Sequence, residues 1–105
     1  MMSGGHFDYD QYKIQYISDE VEHLIHSNNS EEVNEYGDKL GYHYTYNTIA
    51  EFYNAVYALK KAQIYAQRID WLVSADDGED TFHARLGEEL VALEKWFKDF
   101  TKRGD

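Results

Sequence analysis

Apolar residues recur at helical spacing in three separate stretches of the chain. Ile14, Ile17, Val21 and Leu24 follow one another at steps of three and four, which puts them on one face of a helix. Asp8 and Gln11 have the spacing of a capping box just ahead of them. Ser27, Asn28 and Asn29 close the segment, because short polar side chains compete for backbone hydrogen bonds. The pattern predicts a first helix over 8–27. A second begins at Thr48, where Thr48 and Glu51 again have capping-box spacing, and is expected to reach Ser74. Its seam is Phe52, Ala55, Leu59, Ala62, Ala66, Ile69 and Val73, with alanines small enough for a neighbouring backbone to come close. The third, over 80–102 with Asp80 or Thr81 as its cap, carries Phe82, Leu86, Leu90, Leu93, Phe97 and Phe100. Lys98, Lys102 and Arg103 suit its negative C-terminal end. A turn over 75–79 joins the last two helices, with Gly78 as its permissive residue.

The connection 28–47 is irregular. Ser30 is placed to cap a single helical turn through Tyr36, with Gly37 as its stop. Beyond it, Tyr42, Tyr44 and Tyr46 alternate with His43 and Thr45, a period of two that places the three tyrosines on one side of an extended segment. The expected architecture is all-α: one domain over 1–105, built as a small bundle from a long helical hairpin (48–74 and 80–102) with helix 8–27 packed alongside.

One feature of the second helix does not fit a simple amphipathic pattern. Opposite its seam lie Asn54, Lys60, Lys61, Gln67 and Arg68, yet Tyr57, Ile64 and Trp71 run through the middle of that polar face. Either Tyr42, Tyr44 and Tyr46 lie across this stripe, or it is an interface. In an interface Trp71 and Tyr57 are anchors beside Ile64, and Arg68 and Lys61 form the rim towards a second copy or a target.

The 105 residues include ten basic and twenty acidic ones, for a net charge of −10, and no cysteine or proline. A disulfide scaffold, a thiolate metal site and a cysteine nucleophile are excluded. The longest uncharged stretch, Leu40–Ala50, is far short of the roughly 18 residues of a membrane span. No basic segment followed by an apolar run marks a secretory signal, so a cytoplasmic protein is expected. Residues 1–47 carry net −7, residues 48–75 net +1 and residues 76–105 net −4. Such a field opposes direct binding to nucleic acid or anionic membrane.

Two stretches stand out: Ser3-Gly4-Gly5-His6-Phe7-Asp8-Tyr9-Asp10-Gln11-Tyr12, and the run from Tyr65-Ala66-Gln67-Arg68-Ile69-Asp70-Trp71 through Asp76-Asp77-Gly78-Glu79-Asp80-Thr81-Phe82-His83. They resemble a widespread family of small, acidic, uncharacterised phage and prophage proteins, a resemblance that covers most of the chain and is weakest over 28–47. It implies a mobile-element setting inside a bacterial cell. Small proteins of that setting often inhibit host enzymes or anti-phage defence, including nuclease inhibitors that mimic DNA.

The turn Asp76-Asp77-Gly78-Glu79-Asp80 is no calcium loop. With its glycine at Gly78, an EF-hand would need oxygen ligands where Val73 and Ala75 stand and a glutamate at Ala84. Its carboxylates suit the start of the third helix, and also a recognition loop. Glu20 with His23 and Asp80 with His83 have the spacing of carboxylate-bridged metal sites, but Glu20 and His23 fall on positions that flank the core or face water. No nucleophile elbow, phosphate loop or metalloprotease pattern occurs. No catalytic residue, metal or cofactor is assigned.

The reading that follows is a non-enzymatic, phage-type accessory protein that binds and inhibits a host protein with a basic surface. A defence nuclease is such a target, reached as an anti-CRISPR or DNA-mimic inhibitor reaches one. Its contact residues are expected among Tyr57, Ile64, Arg68 and Trp71, the acids Asp76, Asp77, Glu79 and Asp80, and the cluster Glu31, Glu32 and Glu35, with a homodimer as a further possibility. Basic residues after Asp80 count against mimicry by the third helix. The alternative is a small-molecule or metal-binding helical protein with a pocket lined by tyrosine and histidine.

Overall fold

The computed structural model describes Phe7 and residues 9–103 and contains three helices: α1 (Gln11–Ser27), α2 (Tyr46–Val73) and α3 (Glu79–Arg103). The fold is all-α, a helical bundle made of the α2/α3 hairpin with the shorter α1 alongside. α2 is the central element. It packs against α1 and against α3, while the backbones of α1 and α3 stay apart. The result is a long, shallow arrangement, 54 × 29 × 15 Å.

Where the helices start differs from the capping pattern by up to three residues, for local reasons. Asp8 and the Ser3–His6 stretch lie outside the described residues. Gln11 does not cap α1; its amide instead reaches α2, donating to Gln67 Oε1 at 2.9 Å and to Asp70 Oδ2 at 3.3 Å. α2 starts at Tyr46 with Thr45 as its N-cap residue, so Thr48 lies inside the first turn and the Thr48–Glu51 box does not form. The two threonine hydroxyls bond each other at 3.2 Å. α3 begins one residue early: Phe82 N–H donates to Gly78 O at 2.9 Å, so Gly78 rather than Asp80 or Thr81 holds the cap position.

The end of α2 is a Schellman motif built on Ala75. Asp76 N–H donates to Trp71 O (2.8 Å) and Ala75 N–H to Leu72 O (3.1 Å), with Ala75 at φ 66°. The left-handed residue of the turn is therefore Ala75, not Gly78.

The inward-facing registers also differ from the apolar stripes. In α1 the buried line is Gln11, Ser18 and Ile25, at heptad spacing, whereas Ile17 is 54% exposed. In α2 the buried residues are Val56, Gln67, Arg68 and Asp70, and Ala62, Ile69 and Val73 of the expected seam are exposed. The centre of the apolar core is Ile25, Val56 and Phe100, ringed by Val21, Ile49, Phe52, Tyr53, Trp96 and Phe97. All three helices meet there. Phe100 takes Tyr53 (4.9 Å between ring centroids), Trp96 (4.7 Å) and the edge of His26 (6.0 Å). Lys60 ties the helices together one turn further along: its ammonium pairs with Glu22 of α1 at 3.2 Å and lies 4.7 Å from the ring centroid of Trp96 in α3.

Candidate protein-binding surface

The expected contact residues fall into three places. Tyr57, Ile64 and Trp71 belong to the side of α2 that turns towards α3. Tyr57 packs on Phe97 (4.9 Å) and its hydroxyl donates to Glu94, which raises the Tyr57 pKa above the ordinary tyrosine value. Ile64 lines a groove of about 410 Å³ with Gln15, Lys60, Glu89, Leu93 and Trp96. The middle stripe of α2 is thus occupied by α3, and Tyr42, Tyr44 and Tyr46 do not lie across it.

Arg68 is buried at the α2/α3 hairpin. Its Nη1 donates to Asp77 at 3.4 Å, its Nε stands 2.8 Å from Glu89, and its guanidinium lies 4.4 Å from the Trp71 ring centroid. The Nε–H points off the Glu89 oxygen, so that contact is an ion pair rather than an aligned hydrogen bond. Asp76, Glu79 and Asp80 are exposed in the same turn.

Glu31, Glu32 and Glu35 lie in the α1–α2 connection, at the other end of α2. The 28 residues of that helix hold the two acidic groups roughly 40 Å apart. They do not form one patch.

The connection 28–45 has more internal order than its composition indicates. The helical turn expected between Ser30 and Tyr36 is absent. In its place Val33 and Lys39 form an antiparallel bridge, closed by Asn34 N–H to Asp38 O (2.9 Å) and Leu40 N–H to Glu32 O (2.8 Å). Asn34 Oδ1 accepts from the amides of Tyr36 (2.8 Å) and Asp38 (3.0 Å), and Gly37 takes φ 86°, which only glycine adopts without strain.

The far limb is pinned to the end of α1 by Asn28, which is 4% exposed. Its side chain accepts from Tyr44 N–H at 2.9 Å and donates to Tyr44 O at 3.1 Å, while its own carbonyl receives His43 N–H at 2.9 Å. Gly41 fits only because it has no side chain. A Cβ there would lie 2.6 Å from Asn28 O, 2.7 Å from Ser27 O and 2.8 Å from Ser30 N, all backbone atoms that cannot step aside.

What this scaffold presents is aromatic and acidic. Tyr36, Tyr42, Tyr44 and Tyr46 are exposed, together with Val33, Leu40 and the carboxylates Glu31, Glu32, Glu35 and Asp38. Tyr42 and Tyr44 stack with centroids 5.2 Å apart and planes within 6°, and Tyr44 meets the edge of Phe52 in α2. Lys39 stands 3.3 Å from Glu31, and His43 Nε2 lies 3.0 Å from Ser30 O. Asn28 and Gly41 carry this geometry, yet neither stands out in the sequence. The available signal was an asparagine at the end of a helix followed by a glycine ahead of the tyrosine repeat.

Among the described residues no group of three or more His, Cys, Asp and Glu side chains could hold a metal ion. Glu20, His23, Asp80 and His83 are all exposed, and the His83 ring lies against Phe82. A cavity of about 390 Å³ lies between the end of α1 and the start of α2, lined by Ile25, Asn28, Asn29, Tyr44, Tyr46, Ile49 and Tyr53, tyrosine-rich but without histidine. No helix among the described residues is long and apolar enough to cross a membrane. No family model, curated protein or solved structure matches the chain.

Proposed function

We propose that this chain is a non-enzymatic binding protein that engages a basic surface of a host protein through the connection 28–46. The resemblance of its motif stretches to phage and prophage proteins supports an inhibitor of a host or defence protein, a nuclease included. One observation carries the reading: an exposed segment with four tyrosines and four carboxylates is tethered, by Asn28 and Gly41, to the ends of two helices. A free loop would lose conformational entropy when it docked; a tethered one has lost it on folding. Exposed tyrosines offer large, stiff contact surfaces at two side-chain torsions each, and their hydroxyls hydrogen-bond at the rim. The carboxylates around them, with one lysine for four acids, steer the surface towards positive charge.

The test is affinity capture from bacterial lysate with three baits: the wild-type chain, a Tyr36→Ala/Tyr42→Ala/Glu32→Gln chain, and an Asp76→Asn/Asp80→Asn chain. A specific partner should be lost with the first variant, kept with the second, and released faster as salt rises. A partner held equally well by the loop variant would refute the assignment. The tyrosine-lined cavity favours a second reading, a small-molecule site; calorimetric titration of the isolated chain with aromatic metabolites and nucleotides tests it.

A further inference from the structure

The shape and the exposed apolar surface of the chain point to a face that α3 does not cover. In α1 the line Gln11, Ser18 and Ile25 is buried against α2. On one side of that line Gln15 and His26 turn towards α3: Gln15 shares the 410 Å³ groove with Glu89 and Trp96, and His26 touches Phe100. Ile14, Ile17 and Leu24 lie on the opposite side, by helical geometry, while Val21 between them reaches the core. In α2, Tyr57, Lys60, Ile64 and Arg68 turn to α3, so the seam from Ala55 to Val73 faces the other way, and its Ala62, Ile69 and Val73 are exposed. The two apolar stripes therefore share the uncovered face of the α1/α2 pair. Neither stripe contains a charged residue, in a chain of net charge −10.

The dimensions agree. The radius of gyration is 17.4 Å, where a compact domain of about 100 residues has about 13 Å. The accessible surface is 7404 Å², roughly 1,300 Å² more than a compact protein of this mass presents. A standard stable interface takes about 800 Å² from each partner.

We infer that this face is the interface of a two-fold homodimer, in which the α1/α2 pair of one copy packs on that of the other as a four-helix layer. A basic partner would require charge at the centre of its contact surface, and the two stripes have none. A second copy needs only the same apolar stripe. Ala55, Ala62 and Ala66 let the facing backbones approach closely. The acids lie elsewhere on each copy and repel, so screening strengthens the dimer.

Sedimentation equilibrium of the full chain should give twice the 12.4 kDa chain mass at micromolar concentration, with tighter association as salt rises. Ile17→Glu and Ala62→Glu each place a charge in the seam at an exposed position, so the fold of the single chain should keep its helical circular dichroism while the dimer weakens by at least about tenfold. Tyr36→Ala, in the proposed host-binding segment, should leave the dimer unchanged. A wild-type chain that remains monomeric, glutamate variants that still dimerise as tightly, or a dimer loosened by salt would each overturn the inference. Loss of helical signal in both glutamate variants would overturn it too, because the face would then be needed within one chain.

Discussion

The side chain of Asn28 pairs with the backbone of Tyr44 in both directions, accepting from its N–H at 2.9 Å and donating to its carbonyl at 3.1 Å. It takes the place of the neighbouring strand that an extended segment lacks. Asn28→Ala leaves both Tyr44 backbone groups without that partner, at a cost of roughly 1–3 kcal/mol. Urea denaturation should show that loss. Hydrogen exchange should accelerate at Tyr44 and His43 well before it does in the centre of α2, because the other half of the connection keeps its own bridge between Val33 and Lys39.

Ala75 closes α2 with a left-handed backbone, φ 66°, in a place where glycine is the usual residue. Nothing about the two Schellman bonds depends on the methyl group. Ala75→Gly relieves the steric cost of that conformation, about 1 kcal/mol, and gives back part of it through the greater freedom of the unfolded chain. The net expectation is a gain of up to about 1 kcal/mol, seen as a higher midpoint in thermal or urea unfolding.

The three helices were legible in the sequence to within three residues at each end, because apolar spacing is a local property and survives whatever the helix packs against. Which face turns inward was not. The stripes Ile14–Leu24 and Phe52–Val73 are the most apolar lines on their helices, yet α1 and α2 meet through Ile25 and Val56 at one end and through Gln11, Gln67 and Asp70 at the other. Polar residues that pair across a seam leave no periodic signature, and only their partners distinguish them from a solvated face. The connection 28–47 failed for a related reason. Ser30 to Gly37 reads as a capped turn if the backbone bonds to itself, but Asn34 Oδ1 captures two amides and favours a bridge instead. The acids Glu31, Glu32 and Glu35 were visible as a cluster. The anchor that orients them, Asn28 with Gly41, depends on close approach between segments separated by more than ten residues.

Tyr57 donates its hydroxyl to Glu94, and this bond, then burial and the nearby carboxylate charge, raise its pKa above the ordinary value near 10. The sign of the linkage follows. The folded chain holds the Tyr57 proton more tightly than the unfolded chain does, so the bond's contribution is complete below the unfolded tyrosine pKa. It is lost as pH rises through the folded one. In a spectrophotometric titration of the folded protein, Tyr57→Phe should remove one tyrosine from the most alkaline part of the curve. It should also flatten the decline of stability in that range. A curve that loses its earliest-titrating component instead would contradict the bond.

The sequence pattern places Arg68 beside Trp71 and Tyr57 on a polar face, and in the fold it is enclosed by its own chain. It joins α2 to the turn through Asp77 and to α3 through Glu89, with the guanidinium face against Trp71. Removing the side chain leaves the largely buried Asp77 without its counter-charge. Glu89 is partly exposed and recovers water. The cost of Arg68→Ala is therefore expected at about 2–3 kcal/mol, below the value for a fully buried pair. Arg68→Lys should recover little of it, since an ammonium cannot reach two carboxylates and lie flat on the indole together. Measured by urea unfolding, the two variants should be similarly destabilised, and the Trp71 fluorescence of each should move towards that of a solvated indole before the main transition. If Arg68→Ala instead retains wild-type stability and alters only the binding of a partner, the side chain serves an interface and not the α2/α3 hairpin.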